Sequence, residues 1–200
     1  MTRVTSKTAT RRQPAAGLRR PDWDEYFMLL AKLAAIRSTC LSRSVGAVIV
    51  VDKQVIATGY NGSVPGAPHC LDEGVCYKRS RGAGSGNYLM SRAVHAEANA
   101  IGMAARRGIS VKGGTMYITL APCAACVKLL ASAGIKQVIY ERAYDTEEGE
   151  VSEDWLRALD IARISHRQLT ITRATAEKAC SLIGGETSMR HSLSPEGLPL

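Results

Sequence analysis

The stretch TMYITLAPCAACVKLLASAGIKQVIY, residues 115–140, decides the fold. Its ends, Thr115–Leu120 and Gln137–Tyr140, read as short strands, and Pro122–Ala133 between them reads as a helix. Pro122 suits the first turn of that helix, where a missing N–H has no partner to lose. Strand, helix, strand in this order implies parallel pairing through a right-handed crossover. Upstream, residues 95–107 read as another helix, and Val45–Asp52 with Val55–Tyr60 are β-branched apolar runs joined by Asp52-Lys53-Gln54, which predicts a hairpin. Earlier still, Asp22 with Glu25 has the form of a capping box, and Trp23, Phe27, Leu30 and Ala34 share one face of a helix expected over 22–38. Downstream, a helix is expected over 152–162 and a strand over Gln168–Thr172. The sum is an α/β protein with a mixed five-stranded sheet covered by helices.

Two stretches resist this pattern. Asn61–Val94 is rich in glycine and charge with little periodicity, and reads as a long functional loop or lid. Gly184–Leu200 reads as a loose tail.

Composition narrows the function classes. The chain has 200 residues, 46% of them hydrophobic and 22% charged, enough for one core and too few for two domains. The net charge of +8 is uneven, because residues 1–20 lack acids and hold Arg3, Lys7, Arg11, Arg12, Arg19 and Arg20. The pI near 9.4 therefore reports a solvated basic tail rather than a body built to grip nucleic acid. No stretch has the length of a secretory h-region or a membrane span, so a cytoplasmic protein is expected. In that setting Cys40, Cys70, Cys76, Cys123, Cys126 and Cys180 are read as thiols or metal ligands, not disulfides.

The chemistry sits at two predicted helix starts, His95-Ala96-Glu97 and Pro122-Cys123-Ala124-Ala125-Cys126. Cys123 and Cys126, three residues apart on a helix, lie on one face, and with His95 they make a zinc ligand set of three. Three protein ligands leave a fourth position open, the pattern of a catalytic site, where coordination lowers the pKa of water from ~15.7 towards ~7. Helix N-termini favour both thiolates and anions. Glu97, two residues beyond His95, falls near the metal but outside its shell and is read as a proton shuttle. The bland alternative, a structural zinc with an ordinary surface glutamate, lacks a fourth protein ligand nearby.

His95-Ala96-Glu97-Ala98-Asn99-Ala100-Ile101, Thr119–Cys126, Gly59-Tyr60-Asn61-Gly62-Ser63 and Ala133-Gly134-Ile135-Lys136 together resemble the deoxycytidylate deaminase family, over residues 21 to about 175. The resemblance implies a three-layer α-β-α cytidine deaminase-like fold in a domain over 21–175, flanked by a basic disordered tail over 1–20 and a loose tail over 176–200. It implies hydrolysis of dCMP to dUMP and ammonia, feeding thymidylate synthesis, with Zn2+ held by His95, Cys123 and Cys126 and Glu97 moving protons to ring N3 and then to the leaving amine.

Further roles come from the same resemblance. Asn61, Ser63 and Ala96 would contact the nucleotide; a plain type I′ turn is the other reading of Asn61-Gly62. Arg37, read from its place before the first strand and from guanidinium chemistry rather than from the resemblance, is a candidate for the monophosphate or an exposed helix-end arginine. Tyr144 is a pocket residue or a core aromatic. Arg106 matches an effector position or is a helix-dipole partner. The family implies a homo-oligomer, a hexamer, activated by dCTP and inhibited by dTTP. Cys40 and Cys70 match ligands of a second, structural zinc in some relatives, but the residues that would complete it correspond to Ser85, Ser91 and Ala93, so Cys76 or His69 would have to substitute. The alternative is loop thiols that ligate nothing.

Two other functions compete. A deaminase of cytosine or adenine in a polynucleotide such as tRNA would want stacking aromatics, yet these make up 5% of the chain with none in the basic tail. A silent interaction module is disfavoured by the intact Glu97.

Overall fold

A computed structural model describes residues 20–80, 91–143 and 153–185. In chain order the elements are α1 (Trp23–Ala35), β1 (Gly46–Val51), β2 (Gln54–Tyr60), β3 (Gly62–Ser63), α2 (Cys70–Glu73), α3 (Tyr77–Ser80) and β4 (Ala93–Val94). They continue with α4 (Ala96–Arg106), β5 (Thr115–Leu120), α5 (Ala124–Ala133), β6 (Gln137–Arg142), α6 (Glu153–Ile161), β7 (Ser165–Gln168) and α7 (Arg173–Ile183).

The body, Asp22–Ile171, is one compact unit. Its sheet has the order β2-β1-β5-β6-β7, with β1 antiparallel to β2 and β5, and β5, β6 and β7 parallel. This is the mixed five-stranded sheet expected. Alternation along β1 divides the core: Ala47 and Ile49 face α4, α5 and α6, while Val48 and Val50 face Phe27, Met28 and Ala31 of α1. The layers are α1, sheet, and α4 with α5 and α6, the three-layer α-β-α arrangement.

Local chemistry explains the joints. The Asp22 side chain accepts the Glu25 N–H at 2.8 Å, so the capping box starts α1 as predicted. Asp52 and Lys53 take positive φ of 48° and 62°, making the two-residue type I′ link between β1 and β2. Gly59 brings β2 against α4; a Cβ there would meet the Ala96 carbonyl oxygen at 2.2 Å. Tyr117 of β5 donates its hydroxyl to Asp24 at 2.5 Å, and Asp24 also accepts from Arg167 of β7, tying α1 to two strands.

Four sequence expectations change. Helix α5 begins at Ala124 with Cys123 as its N-cap, so Pro122 precedes the first turn instead of occupying it. The last strand is Ser165–Gln168, not Gln168–Thr172: it is a polar edge strand whose pairing to β6 decides its place, while Leu169 and Ile171 pack on the α1-side core. The Asn61–Val94 segment is not patternless, since β3 pairs with β4 across its neck and α2 and α3 lie within it.

The fourth change lies in the other unit, which includes the chain from Thr172 onward. There α7 occupies residues 173–183, reaching into the stretch read as loose from 176. Thr172 caps it by accepting the Thr175 N–H at 3.3 Å, a signal present in the sequence and overlooked.

Candidate metal centre and active site

Two elements deliver the ligands. His95 is the N-cap residue of α4, with extended backbone (φ −69°, ψ 153°), and Cys123 is the N-cap of α5 in the same conformation (φ −74°, ψ 165°). Cys126 lies in the first turn of α5. The start of α5 is fixed by the sheet: the parallel register of β5 with β6 runs on to Leu120 and Arg142, and the Ala121 N–H donates to the Arg142 carbonyl at 2.8 Å. The start of α4 is fixed by its close approach to Gly59 and by Asn99, whose amide donates to the Tyr60 carbonyl at 2.7 Å.

The ligand atoms converge. His95 Nδ1 lies 3.3 Å from Cys126 Sγ and 3.6 Å from Cys123 Sγ, and the three donor atoms all fall within 4.8 Å of one another. Among the described residues this is the one cluster of three or more potential metal ligands so placed. One nitrogen from the half-buried His95 and two sulfurs from the buried cysteines, with no fourth residue in the cluster among the described residues, fit a zinc that keeps an open position.

The electrostatics agree with that donor set. Cys123 is held below the usual thiol range, first because the Cys126 thiol donates to it and then because His95 does. Cys126 is raised by the same shared proton and by burial. His95 is raised, chiefly by its bond to Cys123. A site in which two thiols and an imidazole compete for protons is one that a divalent cation relieves.

Glu97 is 3% exposed, and burial lifts its carboxyl from 4.5 to about 7, against the opposing pull of its own backbone N–H and of His95. Its carboxyl reaches the Cys126 thiol, so it stands at the edge of the ligand trio. A carboxyl poised near neutrality can both take and return a proton.

The remaining candidates are spread more widely. Ala96 is fully buried in the first turn of α4. Asn61, 7% exposed, is not in a type I′ turn; positive φ among described non-glycine residues occurs at Asp52, Lys53 and Arg163. Its Oδ1 accepts from the Val45 N–H (2.9 Å) and Ser38 Oγ (2.7 Å), and its Nδ2 donates to the Arg43 carbonyl (2.8 Å), so its carboxamide fastens the loop between α1 and β1. Ser63 donates to the Pro68 carbonyl at 2.9 Å. Arg37 is exposed just beyond α1, and Arg106 is exposed at the last residue of α4. Tyr144 and Ser85 lie outside the described residues.

Cys40, His69, Cys70 and Cys76 do not form a ligand cluster like that of His95. Cys40 and Cys70 are nonetheless brought near by the Leu71 N–H donating to the Thr39 carbonyl at 3.2 Å, and the buried His69 Nδ1 has no hydrogen-bond partner among the described residues. Sequence reasoning missed Ser38, Asn99 and Thr119, whose hydroxyl accepts the Gly46 N–H at 3.1 Å. Of the three, Asn99 carried a signal, as a polar residue two positions after Glu97 in a helix start otherwise made of alanine.

Comparison with known proteins gives this geometry its relatives. The family profile described as the cytidine and deoxycytidylate deaminase zinc-binding region matches residues 21–142. A deoxycytidylate deaminase of Mycobacterium phage D29 is 45% identical over 129 residues, covering 62% of this chain and 97% of its own. ComE operon protein 2 of Bacillus subtilis is 43% identical over 129 residues, covering 64% of each chain. The Saccharomyces cerevisiae deoxycytidylate deaminase is 38% identical over 157 residues, which is 78% of this chain but 48% of the yeast protein. The chain thus matches less than two thirds of the length of the Bacillus and yeast relatives. Among solved structures, the dCMP deaminase of cyanophage S-TIM5 in complex with dCMP and dUMP aligns with a TM-score of 0.60 at 26% identity, covering 76% of this chain and 99% of that one. With the profile spanning more than half of the chain and its His and Cys positions meeting in space, this protein belongs to the cytidine and deoxycytidylate deaminase family.

Proposed function

We propose that this protein hydrolyses dCMP to dUMP and ammonia, the substrate carried by the cyanophage relative of known structure. The observation that carries the reading is the buried Glu97 carboxyl, poised near neutrality beside the His95, Cys123 and Cys126 donors. Zinc bound there supplies Lewis acidity and a lowered water pKa. Glu97 accepts a proton from the attacking water and delivers it to N3 of the cytosine ring, which makes C4 electrophilic. A second transfer through Glu97 goes to the exocyclic amine, the C4–N4 bond breaks, and ammonia departs while the C4 oxygen remains as the uracil carbonyl. Burial of Glu97 keeps bulk water from intercepting either transfer.

Around that centre, Ala96 in the first turn of α4 and the Asn61–Ser63 neck are the substrate-binding elements, and Tyr144 is assigned to substrate binding from the family resemblance alone. Arg37 supplies a guanidinium for the monophosphate. A second zinc held by Cys40 and Cys70 with His69 or Cys76 is supported by the orphaned His69 Nδ1 and the Thr39–Leu71 bond. A homo-oligomer, a hexamer, activated by dCTP and inhibited by dTTP with Arg106 at the effector position, is inferred from kinship. So is a cytoplasmic place feeding thymidylate synthesis, and no helix among the described residues is long and apolar enough to cross a membrane.

Ammonia release by the zinc-loaded protein tests this, with deoxycytidine, its mono-, di- and triphosphates and a short single-stranded oligonucleotide as substrates, each with and without dCTP. Turnover confined to the monophosphate and raised by dCTP is expected. Turnover of the oligonucleotide alone would overturn the reading and give the basic tail a substrate-gripping role.

A further inference from the structure

On the sheet face opposite the metal centre there is an open cleft of about 380 Å³, lined by Trp23 and Phe27 of α1, Val50 of β1, Lys53 of the β1–β2 turn, and Lys112 and Tyr117. That volume falls in the range of small-molecule sites. We propose that this cleft is a second binding site, for a flat heteroaromatic anion of the nucleoside monophosphate class, with its ring on Trp23 and its anionic group between Lys53 and Lys112.

The aromatic wall is already in place. Trp23 stacks on Phe27 with 5.6 Å between centroids and 20° between planes, and meets Tyr26 edge-on at 6.0 Å, so its ring is held from within. It is nevertheless 47% exposed, although tryptophan is a residue that usually hides its area. The inner face is taken by Phe27, and the Lys53 ammonium stands over the ring at 5.6 Å. An ammonium over an exposed ring is a weak, exchangeable contact, and an arriving anion would draw Lys53 aside while a heterocycle replaced it over the indole.

The charges are placed for an anion. Of the two carboxylates lining the cleft, Asp24 is committed to the Tyr117 hydroxyl and the Arg167 guanidinium. That leaves two ammonium groups, Lys53 and Lys112, against the single carboxylate of Asp52. Lys53 also occupies a left-handed position (φ 62°) that a type I′ turn would normally give to glycine. A lysine standing where glycine is favoured is consistent with a task for its side chain. None of these residues belongs to the metal centre or its supports, so the site would be independent of turnover chemistry.

Adenosine monophosphate, adenosine and inorganic phosphate are suitable probes, read by tryptophan emission excited at the red edge. The buried Trp155 serves as the internal constant and Trp23→Phe identifies the responding ring. Saturable quenching by adenosine monophosphate is expected, at least tenfold weaker for adenosine or phosphate alone. It should weaken at least tenfold in the Lys53→Gln/Lys112→Gln double variant, whose dCMP turnover should match the parent and so report an intact fold. Non-saturating quenching at millimolar concentration, equal affinity in the double variant, or competition by dUMP with the affinity of the active site would each overturn the proposal.

Discussion

Gly59 and Ala96 are locked together: the α-carbon of the one lies so near the carbonyl of the other that a single added methyl would sit 2.2 Å from that oxygen. Because Ala96 is flanked by His95 and Glu97, this contact between β2 and α4 sets the depth at which both functional side chains stand. Gly59→Ala should therefore lower stability by about 1–3 kcal/mol, the usual range for overpacking, and also loosen the metal. Denaturant unfolding together with zinc content per chain checks it. A variant with parental midpoint and full zinc would show that α4 can retreat without disturbing the site.

Glu97→Gln keeps the shape of a side chain that burial already drives towards its neutral form. Zinc content and folding should be unchanged, while turnover falls by roughly 10²–10⁴, the ordinary worth of a general acid–base group. Substantial residual turnover would remove Glu97 from the proton path.

Metal removal should act on stability as well as activity. Without a cation, His95, Cys123 and Cys126 must share protons in a buried space, so chelation should lower the melting temperature and abolish turnover, and added zinc should restore both. Saturation at a hundred times the dissociation constant corresponds to about 2.7 kcal/mol. An unchanged melting temperature after complete zinc loss would mean that the trio is preorganised by the protein alone.

Alkaline stability offers a test remote from the chemistry. Tyr117 is 4% exposed, and burial, with the Asp24 carboxylate beside it, pushes its phenol above the usual value of 10. Below about pH 10 both folded and unfolded chains hold the proton and the contribution is whole. Above it the unfolded chain ionises first, so stability should fall with rising pH by up to about 1.4 kcal/mol per unit. Tyr117→Phe should flatten that slope in urea unfolding between pH 9 and 11; an identical slope would assign the loss to other groups.

The parts of this molecule legible in the sequence were those in which local pattern and global need coincide. The Asp22 cap, the β1–β2 hairpin, the parallel β5–α5–β6 unit and the ligand trio all announce themselves through spacing along the chain. The Ser165–Gln168 strand does not, because a polar edge strand is chosen by its neighbour's free hydrogen bonds. Asn61 shows the other limit: its residue type was informative, but its three partners come from residues 38–45, and that loop closes only when α1 and β1 are docked. Thr119 is silent for the same reason, since its partner Gly46 is a neighbour only across the sheet.

The pairing of Gly62 with Val94 and Ser63 with Ala93 has an evolutionary consequence. It closes the segment between them at its base, so changes in that segment's length are felt mainly as loop entropy, which grows by only about 0.6 kcal/mol for each doubling. Insertions and deletions there can accumulate, and with them new surface, while the scaffold beneath is preserved. One residue added after Ala93 is a different event: it would shift the β4 register, turn the side chains beyond it to the opposite face, and carry the His95 imidazole away from the cysteines.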